Sequence, residues 1–132
     1  MIYMFDTDTV SFFMKDNPKK VRIKTAKHSN DEFCISAITY AELMFGLKKN
    51  YSKQLNFWLK EVLGMFKVIS FDDTSSIIYG EIRNVLEKTG TPLDNMDMLI
   101  AASALAQGAV LVSHNTKHLT RIKGLNVEDW SC

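Results

Sequence analysis

Cysteine is scarce in this chain, and so is any long apolar run. The two cysteines are Cys34, inside an apolar segment, and Cys132, at the last position. They have neither the spacing of metal ligands nor the number of a disulfide framework. No secretory signal is visible, because the opening MIYMF is too short for a signal core and Asp6 interrupts it. A reducing compartment, the cytoplasm, is therefore expected. Nothing approaches the roughly 20 consecutive apolar residues of a membrane span. Linkers, repeats and low-complexity stretches are missing too. With 132 residues, 46% of them hydrophobic, the sequence fits one domain over residues 1–132. Nor does one sign of charge dominate. Sixteen basic against fifteen acidic residues leave a net +1, so bulk charge neither favours nor excludes a nucleic-acid partner.

What is present is an alternation of short apolar runs and helical stripes. Met1–Phe5 reads as a buried first strand stopped by Asp6, followed by a short helix over Thr9–Lys15 and a break at Asn17-Pro18. Val21, Ile23 and Ala26 give a weak helical stripe in a basic stretch. Glu32–Ala37 is a second strand, leading into a helix over Tyr40–Lys49 that starts at Thr39 and carries Leu43, Phe45 and Leu47. Leu55, Leu59, Val62 and Leu63 have helical spacing, and Phe66–Phe71 reads as a third strand. Ile77, Ile78, Ile82, Val85 and Leu86 mark the next helix, ending near Gly90. Another opens at Thr91-Pro92 and stops at Gly108. Ala109–Val112 is a fourth strand and Leu125–Val127 a last one. This order predicts an α/β domain, a mostly parallel sheet with helices on both faces.

In such sheets ligands bind beyond the carboxyl ends of the strands. Asp6 ends the first strand, Glu42 lies in the helix after the second, Asp97 opens the helix before the fourth, and Asn115 follows the fourth. Each has a local explanation. Thr39-x-x-Glu42 and Asp94-x-x-Asp97 have the form of capping boxes, and Asp6 and Asn115 are good helix caps. Taken together they place three carboxylates and an amide at one end of one sheet. Clustered carboxylates resist joint ionisation unless a cation neutralises them. Oxygen ligands without cysteine or a set of histidines suit Mg²⁺ or Mn²⁺, which in pairs serve phosphodiester hydrolysis.

The same segments resemble a known family. MIYMFDTD looks like the opening of VapC-type PIN domains, ISAITYAELMFGL their second motif, PLDNMDMLIAASAL their third, and AVLVSHNTKHLTRIKGLNVEDW their closing segment. The resemblance covers essentially the whole chain, in order. It implies a PIN-like three-layer α/β/α fold and a metal-dependent endoribonuclease, the toxin of a toxin–antitoxin pair, acting on RNA such as tRNA and inhibiting translation. It also implies a homodimer and a cognate VapB-type antitoxin that blocks the site. Carried over position by position, Asp6, Glu42 and Asp97 would hold Mg²⁺ or Mn²⁺. Asn115 would complete the catalytic set by holding a water or a carboxylate, since its amide brings no charge. Asp94, Asp8 and Ser113 are supporting candidates, each with local capping or turn chemistry as its alternative.

Further features stay open. Lys15, Lys19, Lys20, Arg22, Lys24 and Lys27 form a basic stretch that fits an RNA backbone or a solvated helix face; Lys19, Lys20 and Arg22 are the RNA-binding candidates. His114 and His118 are four apart but lack a third ligand at metal-binding spacing. Phe12, Phe13, Phe45, Phe57 and Trp58 exceed the needs of a small core, and some suit a dimer face or an antitoxin groove. FDTDTV also resembles the first motif of haloacid-dehalogenase-like phosphatases, with Ser113 imitating the second. That pattern then fails for want of a later lysine and acidic pair. A non-catalytic receiver-like module, with Asp72 or Asp73 as phosphoacceptor, is the remaining alternative.

Overall fold

A computed structural model describes all 132 residues, Met1 to Cys132. The strands are β1 (Ile2–Phe5), β2 (Glu32–Ser36), β3 (Lys67–Ile69), β4 (Val110–Val112) and β5 (Val127–Glu128). The helices are α1 (Thr7–Lys15), α2 (Lys20–Lys27), α3 (Ala37–Lys49), α4 (Lys53–Met65), α5 (Asp73–Lys88), α6 (Asn95–Gln107) and α7 (Thr116–Leu119). The strands form one sheet in the order β3-β2-β1-β4-β5, and every pairing is parallel. The first strand in sequence is thus the middle one in space. No helix is long and apolar enough to cross a membrane.

Period-two alternation along β1 divides the core. Tyr3 and Phe5 face one side, where Val10 and Phe13 of α1, Val21 of α2, Leu43 of α3, and Leu59 and Val62 of α4 cover them together with Trp130. Met4 faces the other, against Ile82 and Leu86 of α5, Met98, Ala101 and Ala102 of α6, and Leu119 of α7. The outcome is the expected three layers, with the sheet as the middle one. Rings dominate the first side: Phe5 touches Phe13, Phe33, Phe66 and Trp130 at centroid separations of 4.9–6.2 Å, favourable tilted and edge-on arrangements. The second side is closed by small residues, Ala101, Ala102 and Ala104, which let α6 pack closely.

The differences from the sequence reading have local causes. The third helix begins at Ala37, not near Thr39, because the Ser36 hydroxyl accepts from the Thr39 backbone N–H at 3.1 Å and caps it. Glu42 therefore sits in the second turn, and the capping-box reading of Thr39 and Glu42 is wrong. The first helix begins at Thr7, with Asp6 as its cap, and the sixth at Asn95 rather than at Thr91-Pro92. The α6 helix ends where expected, at Gly108, whose φ of 63° is a left-handed conformation that favours glycine. Ile23, Phe45, Phe57, Ile77 and Val85 are exposed. The apolar stripes are thus wider than the faces their helices bury. The last strand is Val127–Glu128, starting two residues later than expected.

Candidate active site

The carboxyl end of β1 delivers Asp6 directly onto α1. Its backbone N–H donates to the Val112 carbonyl at 3.1 Å, fixing it against β4. Its Oδ1 accepts from the Thr9 N–H at 2.9 Å, and the Thr9 hydroxyl donates back to the same Val112 carbonyl at 2.9 Å. Asp6 is therefore a helix cap through Oδ1, as its local reading had it, and the Ser113 side chain also hydrogen-bonds its carboxylate. The side chain is buried, and that burial raises its pKa; hydrogen bonding by Ser113 and Thr9 works in the opposite direction, and the nearby Asp8 charge adds to the rise.

Glu42 comes from α3, and the residue that holds it is one that sequence reasoning misses. The Thr7 hydroxyl donates to Glu42 Oε1 and also lies 3.3 Å from the Thr39 hydroxyl, which in turn lies 3.4 Å from Ser36 Oγ. A chain of hydroxyls thus runs from the Ser36 cap to the carboxylate. The available signal is weak: a threonine directly after Asp6, with nothing in the spacing to pair it with a residue 35 positions later.

Asp97 is the third residue of α6. Asp94 occupies the cap position of that helix without making a side-chain capping bond, which removes the capping-box alternative for this pair. Asp97 instead accepts from Asn115 Nδ2 at 3.2 Å. Only the amide's NH₂ end has protons to offer a carboxylate, so this contact also fixes which way the amide points. Asn115 makes no side-chain cap to α7. Partial burial raises the Asp97 pKa, with Asp94, Asp6 and Asp8 adding to the rise and Asn115 opposing it. Ser113 is fully buried and accepts from the Asn115 backbone N–H at 3.0 Å, bracing the loop rather than capping α7.

Asp6, Thr7, Asp8, Glu42, Asp94 and Asp97 line one cavity of about 160 Å³, closed on one side by Met96 and Ile100. None of Asp6, Glu42, Asp94 and Asp97 forms an ion pair with a basic side chain. An uncompensated carboxylate cluster attracts cations, and an all-oxygen donor set is what Mg²⁺ and Mn²⁺ require. The side chains do not close into a preformed cage of three or more ligands. A larger cavity of about 760 Å³ lies at the opposite, amino ends of the strands, beside Ile2, Glu32 and Lys67. It holds no comparable set of acids, so the smaller cavity is the chemically competent one.

The remaining candidates lie apart from this cavity. Lys19 and Lys20 are exposed at the start of α2, beyond the far end of α1. The nine residues of α1, about 14 Å of helix, separate them from Asp6 in the chain. Arg22 is otherwise engaged: its Nε donates to the Phe13 carbonyl at 2.7 Å, its Nη2 to Glu61 at 3.0 Å, and its guanidinium lies over the Phe13 ring. His118 is on α7, whereas His114 precedes that helix, so the two do not share a helical face. Asp72 caps α5 by accepting from Ser75 at 3.0 Å. It follows β3, two strands and about 10 Å across the sheet from β1.

Comparison with known proteins agrees with this geometry. The family model described as PIN domain matches residues 3–125. The tRNA(fMet)-specific endonuclease VapC of Salmonella typhimurium is 33% identical, with 97% of each chain covered. Ribonuclease VapC1 of Haemophilus influenzae is 35% identical, with 99% of each chain covered. Among solved structures, VapBC2 from Rickettsia felis, bound to a DNA fragment from its promoter, superposes with a TM-score of 0.91 at 34% identity, over 98% of this chain and 99% of that one. Matches of this extent displace the phosphatase and receiver alternatives. The chain belongs to the PIN-domain family and, within it, to the VapC ribonucleases.

Proposed function

We propose that residues 1–132 form a single Mg²⁺- or Mn²⁺-dependent endoribonuclease, the toxin of a toxin–antitoxin pair, which inhibits translation by cutting tRNA in the cytoplasm. The observation behind this reading is the shared cavity of Asp6, Glu42, Asp94 and Asp97 with no basic side chain paired to any of the four. Asp6, Glu42 and Asp97 would hold the ion, which when bound supplies charge neutralisation at the phosphate and an acidified water as nucleophile. Asp6 is fixed by its helix-cap bond to Thr9, and Thr7 donates to Glu42. Asn115 orients Asp97 by its Nδ2 bond, a positioning role that needs no charge of its own. Ser113 braces the same loop, and Asp94 strengthens the negative field around Asp97.

The choice of tRNA rests on the Salmonella relative's name. A VapB-type antitoxin follows from the VapBC complexes among the similar structures. A homodimer is supported by apolar side chains left exposed, Ile77 and Val85 on α5 and Phe45 and Phe57 on α3 and α4. The test is cleavage of a labelled tRNA transcript by the purified chain: activity must vanish in EDTA, return with Mg²⁺ or Mn²⁺, and fall at least about a hundredfold in Asp97→Asn, the order seen when a main charge-stabilising group is removed. Normal cutting in EDTA, or by that variant, would overturn the reading.

A further inference from the structure

One titratable side chain beside the cavity has no part in the mechanism above. His114 stands between Ser113 and Asn115, whose side chains serve the site, yet its own ring leaves the loop in another direction and docks on α1. There it meets two residues one helical turn apart and therefore on one face, Asp8 and Phe12. Its Nδ1 lies 3.7 Å from Asp8 Oδ2, and its centroid lies 5.5 Å from that of Phe12, with the ring planes at 56°. The side chain remains 44% exposed. Asp8 also lines the acidic cavity, so the ring adjoins one of the cavity's wall residues.

An aromatic ring with a carboxylate beside its edge, a second ring tilted against it and much of its surface exposed can serve as a stacking platform. The neighbouring charges select what it takes. Asp8 lies beside it, and the Asp129 charge is close enough to be perturbed by His114. Two acids disfavour a phosphate at this point, whereas a nucleobase presents an uncharged π face that stacks on any aromatic ring. We propose that His114 is a substrate-binding residue on which a nucleobase flanking the scissile phosphate stacks, with Asp8 and Phe12 fixing the orientation of the imidazole. The proposal rests on the nuclease reading and assigns the adjoining subsite for single-stranded RNA.

The experiment measures steady-state cleavage of a fluorescein-labelled tRNA transcript by wild type, His114→Ala and His114→Phe. After the cut is mapped, the measurement is repeated on synthetic RNA with an abasic residue on either side of it. Alanine is expected to raise KM about 5- to 100-fold, the range of one base–aromatic stack, with kcat moving less than about threefold. Phenylalanine, which keeps the ring, should stay within about threefold of wild type. An abasic residue at the stacked position should erase the difference between wild type and alanine. The Mg²⁺ concentration giving the half-maximal rise in melting temperature should be the same in all three proteins, which a disturbed carboxylate cluster would not allow. An unchanged KM in the alanine variant, a loss that persists on the abasic RNA, or a shifted Mg²⁺ midpoint overturns the platform while leaving the nuclease reading standing. A wild type that cuts no RNA overturns both.

Discussion

Replacing Asp97 with asparagine should have opposite effects on stability without and with a divalent ion. In EDTA, the wild-type carboxylate is held partly buried beside Asp94 and Asp6, and these surroundings raise its pKa. A raised folded-state pKa means that the stability it brings is complete below the ordinary carboxylate value near 4 and is lost as pH rises through the folded value. At pH 7 the charged group therefore costs stability. The Asp97→Asn substitution removes that charge and keeps an oxygen to accept from Asn115, so the variant should match wild type or exceed it by up to about 1 kcal/mol, the scale of a partly exposed charge pair. For 132 residues the unfolding entropy is roughly 0.28 kcal/mol/K, so this is a rise of at most about 4 °C. With Mg²⁺ at a hundred times its dissociation constant, wild type should gain about 2.7 kcal/mol, or near 10 °C, and the variant much less. Melting curves at pH 7 with EDTA and with graded Mg²⁺ measure both arms, and a series toward pH 4 should close the EDTA gap. A variant more than about 1 kcal/mol less stable in EDTA, or an equal Mg²⁺ response in both proteins, would show that Asp97 is a structural residue and refute the reasoning.

Three other outcomes are expected. Thr7→Val, which keeps the shape and removes the donor to Glu42, should weaken the apparent Mg²⁺ affinity in the same melting assay by about tenfold, the lower end for losing an outer partner of a metal ligand, and Thr7→Ser should restore it. Trp130→Ala should lower the unfolding free energy by about 3–5 kcal/mol in urea titrations, because the indole is buried against Tyr3 and Phe5 and stacks on His28 at 5.1 Å. Ellman's reagent at pH 8 should label one thiol of the native protein rapidly, the exposed Cys132. Cys34, whose pKa burial pushes up to about 11, should react only on unfolding.

Much of this architecture is readable from short-range pattern. The run Met1–Phe5 ending at Asp6, the Gly108 stop and the alternation of strand and helix suffice for the layers and for which end carries the acids. Legibility fails where a local motif has two physical solutions. Thr39-x-x-Glu42 satisfies the capping-box pattern, but Ser36 lies closer to the strand end and reaches the Thr39 N–H first, freeing Glu42 for Thr7. Asp94-x-x-Asp97 has the same ambiguity, decided by Asn115 arriving from 18 residues away. The apolar stripe of α5 overstates burial for a related reason. Ile77 and Val85 continue the periodic stripe but lie past the contact with α6, and nothing in a single chain's periodicity marks where a helix face stops being covered.

The middle position of β1 has a consequence for assembly. This strand is flanked by β2 and β4, and the second of those, Val110–Val112, comes from far along the sequence and must dock before the sheet is complete. Until then Val112 cannot accept from Asp6 and Thr9, and Asn115 is not there to orient Asp97. The acid cluster is thus a product of long-range assembly: segments far apart in sequence must meet before Asp6 and Asp97 are held in place.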